Sequence, residues 1–118
     1  MFELTAPCEN CPFLRQGGVR LLPGRVLRVA GDMLRDDGPP FFCHKTLLYT
    51  EEYVEVTRQS QHCAGALLFA AHHGRETVIM RQARRLGWDP ASVQGQDRVF
   101  GSIAEMLAAA ADEPGTLW

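Results

Sequence analysis

Four cysteines hold the chemistry open to this chain. Cys8-Glu9-Asn10-Cys11 is a CxxC pair, Cys43 follows Cys11 after 31 intervening residues, and Cys63 follows Cys43 after 19. A two-residue gap lets both thiolates of one tight turn face the same ion or cluster, so the spacing recurs in zinc and iron–sulfur sites. The single cysteines Cys43 and Cys63 complete a set of four. The expectation is that Cys8, Cys11, Cys43 and Cys63 bind one inorganic centre. Zinc bound by four cysteines usually sits between two CxxC-like knuckles, whereas this chain has one knuckle and two lone cysteines. A cubane tolerates that distribution, because each iron takes one cysteine from its own direction. Apolar neighbours such as Phe13, Phe42 and Leu67 would give it a dry shell. A [4Fe–4S] cluster is the first reading, Zn2+ the alternative, and free thiols or a redox disulfide the third. Thioredoxin-like exchange fits poorly, since that motif follows a strand and no strand signal precedes Cys8.

Two histidines adjoin ligand cysteines. His44 and His62 are read as hydrogen-bond donors to the sulfurs or plain structure; as alternative ligands, either would give three cysteines and one histidine. His72-His73, just before Gly74, reads as a solvated helix end. Arg81, Arg84 and Arg85, with Arg75 before them and Trp88 after, form the one local concentration of positive charge. They are a possible nucleic-acid face with a stacking aromatic. The solvated face of an amphipathic helix is preferred, because the net charge is −2. No nucleophile elbow, phosphate loop, dinucleotide fingerprint or HExxH helix is present, so no catalytic residue is assigned. A centre held by four cysteines also leaves no open position for a substrate. The expected role is a redox or iron-sensing accessory protein that binds a protein partner. The alternative is a zinc-stabilised interaction module, with nucleic acid as a candidate partner. An electron-transfer component comes third.

The strings Cys8-x-x-Cys11-Pro12-Phe13, Phe42-Cys43-His44-Lys45-Thr46 and Cys63-Ala64-Gly65-Ala66-Leu67 resemble an uncharacterised family of small bacterial and phage proteins, a domain of unknown function. Its pattern runs CxxCP(F/W)R, then CHKT, then CAG. The resemblance covers residues 8 to about 70, with a weaker echo at Phe100-Gly101-Ser102-Ile103-Ala104-Glu105-Met106. It implies that the four cysteines act as a unit, and it implies no reaction. This chain departs from the pattern where Leu14 separates Phe13 from Arg15.

The elements that must position these residues read as mainly α. Residues 1–22 form a loop-rich arm broken by Pro7, Pro12, Gly17 and Gly18, with few apolar residues of its own. Pro23 opens a helix running to about Arg35 on the stripe Val26, Leu27, Val29, Ala30, Met33 and Leu34, and Asp36-Asp37-Gly38-Pro39-Pro40 ends it. Phe41-Phe42-Cys43 is extended. Thr50 either caps a helix over Glu51–Val54 or precedes a strand over Tyr53–Thr57. His62 to His73 is apolar nearly all round, which marks a buried helix with Cys63 on its first turn, where the positive dipole end favours a thiolate. Glu76–Leu86 is a further helix with Val78, Ile79, Ala83 and Leu86 facing inward. Asp89-Pro90 caps a short turn. Ser102-x-x-Glu105 is a capping box for a last helix through about Ala111. Leu67, Leu68, Phe69, Val78, Ile79, Leu86, Ile103 and Leu107 are the expected core of the later helices.

The 118 residues make one domain, 1–118, of about four helices with at most a short strand pair. That length is enough to bury a real core. The start shows no basic segment followed by an apolar one, and no apolar run approaches the ~18 residues of a membrane span. The expectation is a cytoplasmic chain with no membrane contact, where thiols stay reduced and metal is favoured over disulfide.

Overall fold

A computed structural model describes residues 2–52 and 54–112, with the side chains of His44 and Asp112 outside the description. Tyr53 and residues 113–118 therefore lie outside it, as do the parts of the strand and domain expectations that fall on them. The fold is mainly helical. It has four helices, α1 (Pro23–Leu34), α2 (Ala64–His72), α3 (Val78–Arg85) and α4 (Ile103–Asp112), and one antiparallel strand pair, β1 (Leu48–Tyr49) with β2 (Val54–Glu55). No described helix is long and apolar enough to cross a membrane.

Helix α1 starts at Pro23, whose missing N–H costs nothing in the first turn. Of its expected stripe, Val26, Val29, Ala30 and Met33 are buried as the helix packs on α2 and α4, Leu34 is half-buried, and Leu27 lies on the solvent side, 55% exposed. Helix α2 is the centre of the core: every residue from Ala64 to Ala70 is buried, as its all-round apolarity requires. It begins two residues later than expected, because His62 and Cys63 are extended. The Thr77 hydroxyl caps α3 by accepting from Met80 N at 3.2 Å. The buried face of α3 is Met80 and Ala83; Leu86, expected inside, is 70% exposed. Leu86 follows the last helical turn, and there the chain turns through Gly87 at φ 92°, so the 3.6-residue period no longer governs its direction. The box on α4 forms, with Ser102 Oγ accepting from Glu105 N at 3.1 Å. The strand alternative holds over Val54–Glu55, and Thr50 Oγ1 accepts from Glu52 N in a local turn instead of capping a helix.

The arm is not peripheral. Cys11, Phe13, Leu14 and Leu21 are buried within the core. Phe13 meets Phe69 of α2 and Phe41 with ring centroids 5.2 and 5.7 Å apart. Leu14 bridges Val99 in antiparallel fashion, with Phe100 N donating to Phe13 O at 2.9 Å and Arg15 N to Arg98 O at 2.8 Å. Four apolar residues in loop give no periodic signal, which is why the arm reads as poor in core when only its sequence is known.

Candidate metal centre

Three short devices bring the cysteines together. The first is the turn Cys8–Cys11, closed by Cys11 N donating to Cys8 O at 3.1 Å. Gly18 passes over it so closely that a Cβ there would collide with the Cys11 carbonyl. The second is a ribbon. Phe41–Cys43 lies antiparallel to Gln61–Cys63, bridged at Phe42 and His62. Cys43 N donates to Gln61 O at 2.8 Å and Cys63 N to Phe41 O at 2.7 Å. Side chains alternate along extended backbone, so Cys43 and Cys63 share one face as diagonal neighbours while Phe42 and His62 take the other. The third is the start of α2, where Cys63 holds the N-cap position.

The outcome is a cluster of thiols drawn from residues 8–11, 43 and 63. Cys11, Cys43 and Cys63 are buried and Cys8 is partly exposed; none is in a disulfide. The Cys11 and Cys63 sulfurs are 3.5 Å apart. That contact splits their acidities. Cys11, hydrogen-bonded to Cys63 and then desolvated, is pushed well up; Cys63 is held down by the same bond against its burial, with help from the amides of Ala66 and Gly65. Cys43 is raised by burial first, the Lys45 amide opposes this, and the neighbouring Cys8 and Cys63 sulfurs add to it. A pattern repeats: the amide two residues ahead lowers the thiol at Cys11 (Phe13), Cys43 (Lys45) and Cys63 (Gly65). Amides aimed at sulfur favour its anion, the form that binds metal. Among the described residues no group of three or more His, Cys, Asp or Glu side chains stands in metal-holding geometry.

Gly65 makes the sulfur contact possible. A Cβ there would fall far inside van der Waals contact of Cys11 Sγ, 3.3 Å from Phe13 Cβ and 3.7 Å from Cys63 Sγ. The string Cys63-Ala64-Gly65 marked this position, but its reason lies 54 residues away at Cys11. Sequence reasoning also missed Thr46 and Gln61. Thr46 Oγ1 donates to Cys43 O at 2.8 Å and accepts from Gln61 N at 2.8 Å, locking the Cys43 turn to the ribbon. Gln61 in turn exchanges bonds with Glu3, 2.9 Å from Glu3 N and 3.1 Å to Glu3 Oε2. On the open side, Lys45 Nζ donates to Glu9 Oε1 at 3.1 Å, joining the Cys8 and Cys43 turns. Arg15 pairs with Glu105 at 3.2 Å, and Glu105 also accepts from Gly101 N at 3.1 Å. The Phe100–Glu105 string is thus the clamp that holds the CxxC segment from outside.

His62 is buried under Phe2, stacked at 5.8 Å. Its Nε2 accepts from Phe41 N at 3.2 Å, so Nδ1 carries the proton and donates to Cys63 O at 3.1 Å. With both nitrogens engaged by backbone, the ring acts as a clamp on the ribbon and has no lone pair left for an ion. The backbone of His44 forms the turn His44–Thr46; its side chain is outside the described residues. Burial pushes the His62 pKa down to about 4 from an ordinary 6.5. The unfolded chain then binds this proton more readily than the folded one. The stabilisation from a neutral His62 is full above pH 6.5 and is lost as pH falls toward 4, by about 3 kcal/mol in all. Metal-free protein is expected to show this acid limb in urea unfolding and His62→Gln to flatten it; an unchanged limb would assign it to other groups.

The arginines of the basic stretch pair locally on a solvated helix face, whereas Trp88 does not join them. Arg84 pairs with Glu76 at 3.0 Å and Arg81 with Asp36 at 3.7 Å. Trp88 is 6% exposed and belongs to the core, so it offers no face for stacking a base. Arg81, Arg84 and Arg85 remain on the exposed side of α3. Changing all three to Gln is expected to alter stability by less than about 1 kcal/mol, since exposed pairs add little. A salt-dependent nucleic-acid affinity that the triple change abolishes would restore the nucleic-acid reading.

A model of a family of unknown function, DUF6283, matches residues 3–116 of the chain. No curated protein and no solved structure shows a significant match.

Proposed function

Because the chain belongs to DUF6283, a family of unknown function, its role must be argued from the site, and we propose that Cys8, Cys11, Cys43 and Cys63 hold one metal as a tetrathiolate centre. The observation that carries this is the convergence of thiols from three distant segments around the Cys11–Cys63 contact, over a glycine whose Cβ would destroy it. The donor set fits a thiophilic metal, and the amides facing three of the sulfurs supply the polarisation that thiolates need. The separation bears on which metal. Two thiolates at about 2.3 Å from one zinc ion stand about 3.8 Å apart at the tetrahedral angle, close to the 3.5 Å seen here. In a cubane each cysteine binds a different iron, so the sulfurs stand well beyond mutual contact. This arrangement favours a single ion, Zn2+, over the [4Fe–4S] cluster put first by cysteine spacing. The cluster stays as the second reading because the apolar walls of Phe13, Phe41 and Leu67 give the dry shell that protects one.

Four cysteine ligands leave no open position for substrate, so the centre orders the fold and the chain works as a binding module for a protein partner, inside the cell where thiols persist. Anaerobic purification followed by absorption spectroscopy and zinc, iron and sulfide analysis tests this. One zinc per chain without visible absorbance supports the tetrathiolate. Four irons with four sulfides supports the cluster. Metal-free protein that takes up neither overturns both.

A further inference from the structure

The β1–β2 hairpin leaves the body of the protein directly after the Cys43 turn. Its register pairs Tyr49 with Val54 and Leu48 with Glu55. Leu47 and Val56 flank this pairing just beyond its open end. The face of the hairpin that carries Tyr49 and Val54 is apolar, yet Tyr49, Val54 and the following Val56 are 55%, 54% and 51% exposed. Among the described residues the pair has no third strand, so strand edges stay open. Glu55 lies with Leu48 on the opposite face, and Glu51 and Glu52 lie in the connection between the strands; all three are exposed and have no ion-pair partner among the described residues. At its base a concavity of about 470 Å³ opens between Lys45, Thr46, Leu48 and Thr57. A chain that buries apolar residues as fully as α2 does has no folding reason to hold such a face in water. Exposed apolar area rimmed by unpaired charge marks an interaction site.

We propose that this hairpin is the docking surface for a protein partner that adds an extended segment of alternating apolar and basic residues to its edge. Main-chain pairing would supply affinity, the apolar face would accept alternate side chains, and Glu51, Glu52 and Glu55 would select basic residues. A second copy of this chain is a poor occupant, since its own hairpin carries the same carboxylates and residues 47–57 hold no basic residue to meet them. The inference does not depend on which metal the cysteines hold. It rests on the hairpin alone, so its failure leaves the tetrathiolate reading standing.

The test is a titration of the 15N-labelled protein, as purified, with a synthetic seven-residue peptide of alternating Lys and Val, and with its Glu-for-Lys counterpart. The expected result is saturable shift changes confined to residues 45–59 with the Lys peptide, and affinity at least about tenfold weaker for the Glu peptide. A Glu51→Lys/Glu52→Lys/Glu55→Lys variant should reverse that preference. Tyr49→Ser/Val56→Ser should abolish binding of both peptides with the circular dichroism spectrum unchanged. Shifts outside the hairpin, equal binding of both peptides, absence of binding, or a dimer in sedimentation that buries the hairpin would each overturn the proposal.

Discussion

Gly65→Ala is expected to lose most of its metal and about 2–4 kcal/mol of stability, a large effect for one added methyl group. The new Cβ would occupy the space taken by Cys11 Sγ and press on Phe13. Neither neighbour can step aside. Cys11 is held by the turn to Cys8 and by Leu14 N, which donates to its carbonyl at 3.2 Å; Phe13 is wedged between Phe41 and Phe69. Overpacking in a close-packed interior costs about 1–3 kcal/mol, and the lost contribution of the metal adds to it. Gly31→Ala in α1 is the matched comparison. Nothing lies within 4 Å of a Cβ there, so alanine should stabilise by about 0.5–1 kcal/mol through helix propensity. Urea unfolding and metal content of the two variants decide the matter. Equal behaviour would mean that the Cys11–Cys63 contact has no part in a metal site.

Cys63→Ser is expected to reduce bound metal to below about a tenth and to remove protection from the amides that fasten the ribbon. Structural zinc contributes on the order of 10 kcal/mol of apparent binding energy near neutral pH, comparable with the whole stability of a small domain. The loss should fall first on Cys43 N and Cys63 N, whose acceptors Gln61 O and Phe41 O lie on the opposite segment. Amides in the middle of α1 and α2 rest on apolar packing and should keep more of their protection. Phe100 N, bonded to Phe13 O, should fall between the two, since Phe13 is seated by Phe69 as well as by the site. Hydrogen exchange on metal-loaded and chelated wild type should reproduce the pattern. Unchanged protection at Cys43 and Cys63 would show that no metal ties the ribbon together, and uniform loss would show that the metal organises the entire chain.

The helices were legible because each has a local cause. Pro23 starts α1, the unbroken apolar run makes α2 buried, and Ser102 with Glu105 caps α4. The cysteines stood out as a set by residue type alone, but how they meet did not. The Gln61–Cys63 segment carries no strand signal of its own; it is extended because Phe41–Cys43 lies beside it, bridged at Phe42 and His62. His62 was placed on the helix for that reason, one turn away from its real work as a backbone clamp. Trp88 looked like a surface aromatic among arginines, yet the turn at Gly87 (φ 92°) carries it into the core. The His62 miss is a long-range contact overriding a local pattern, the Leu86 and Trp88 misses are a single glycine turn redirecting the chain, and at the hairpin Tyr49, Val54 and Val56 are apolar by type yet exposed.

The bridge from Leu14 to Val99 sets an order of events during synthesis. Val99 is made 88 residues after Cys11, which at ribosomal rates of about 5–20 residues per second is an interval of roughly 4–18 s. Through that interval the CxxC turn exists without the segment that seats it, and Cys43 and then Cys63 join the wait as they are made. The nascent chain therefore carries reduced thiols that have no finished pocket, open to oxidants and to whichever thiophilic ion arrives first. On the proposed reading, metal loading would be a late step, and a chain stalled or cut before Val99 would keep all four cysteines and still lack the seat for the first two.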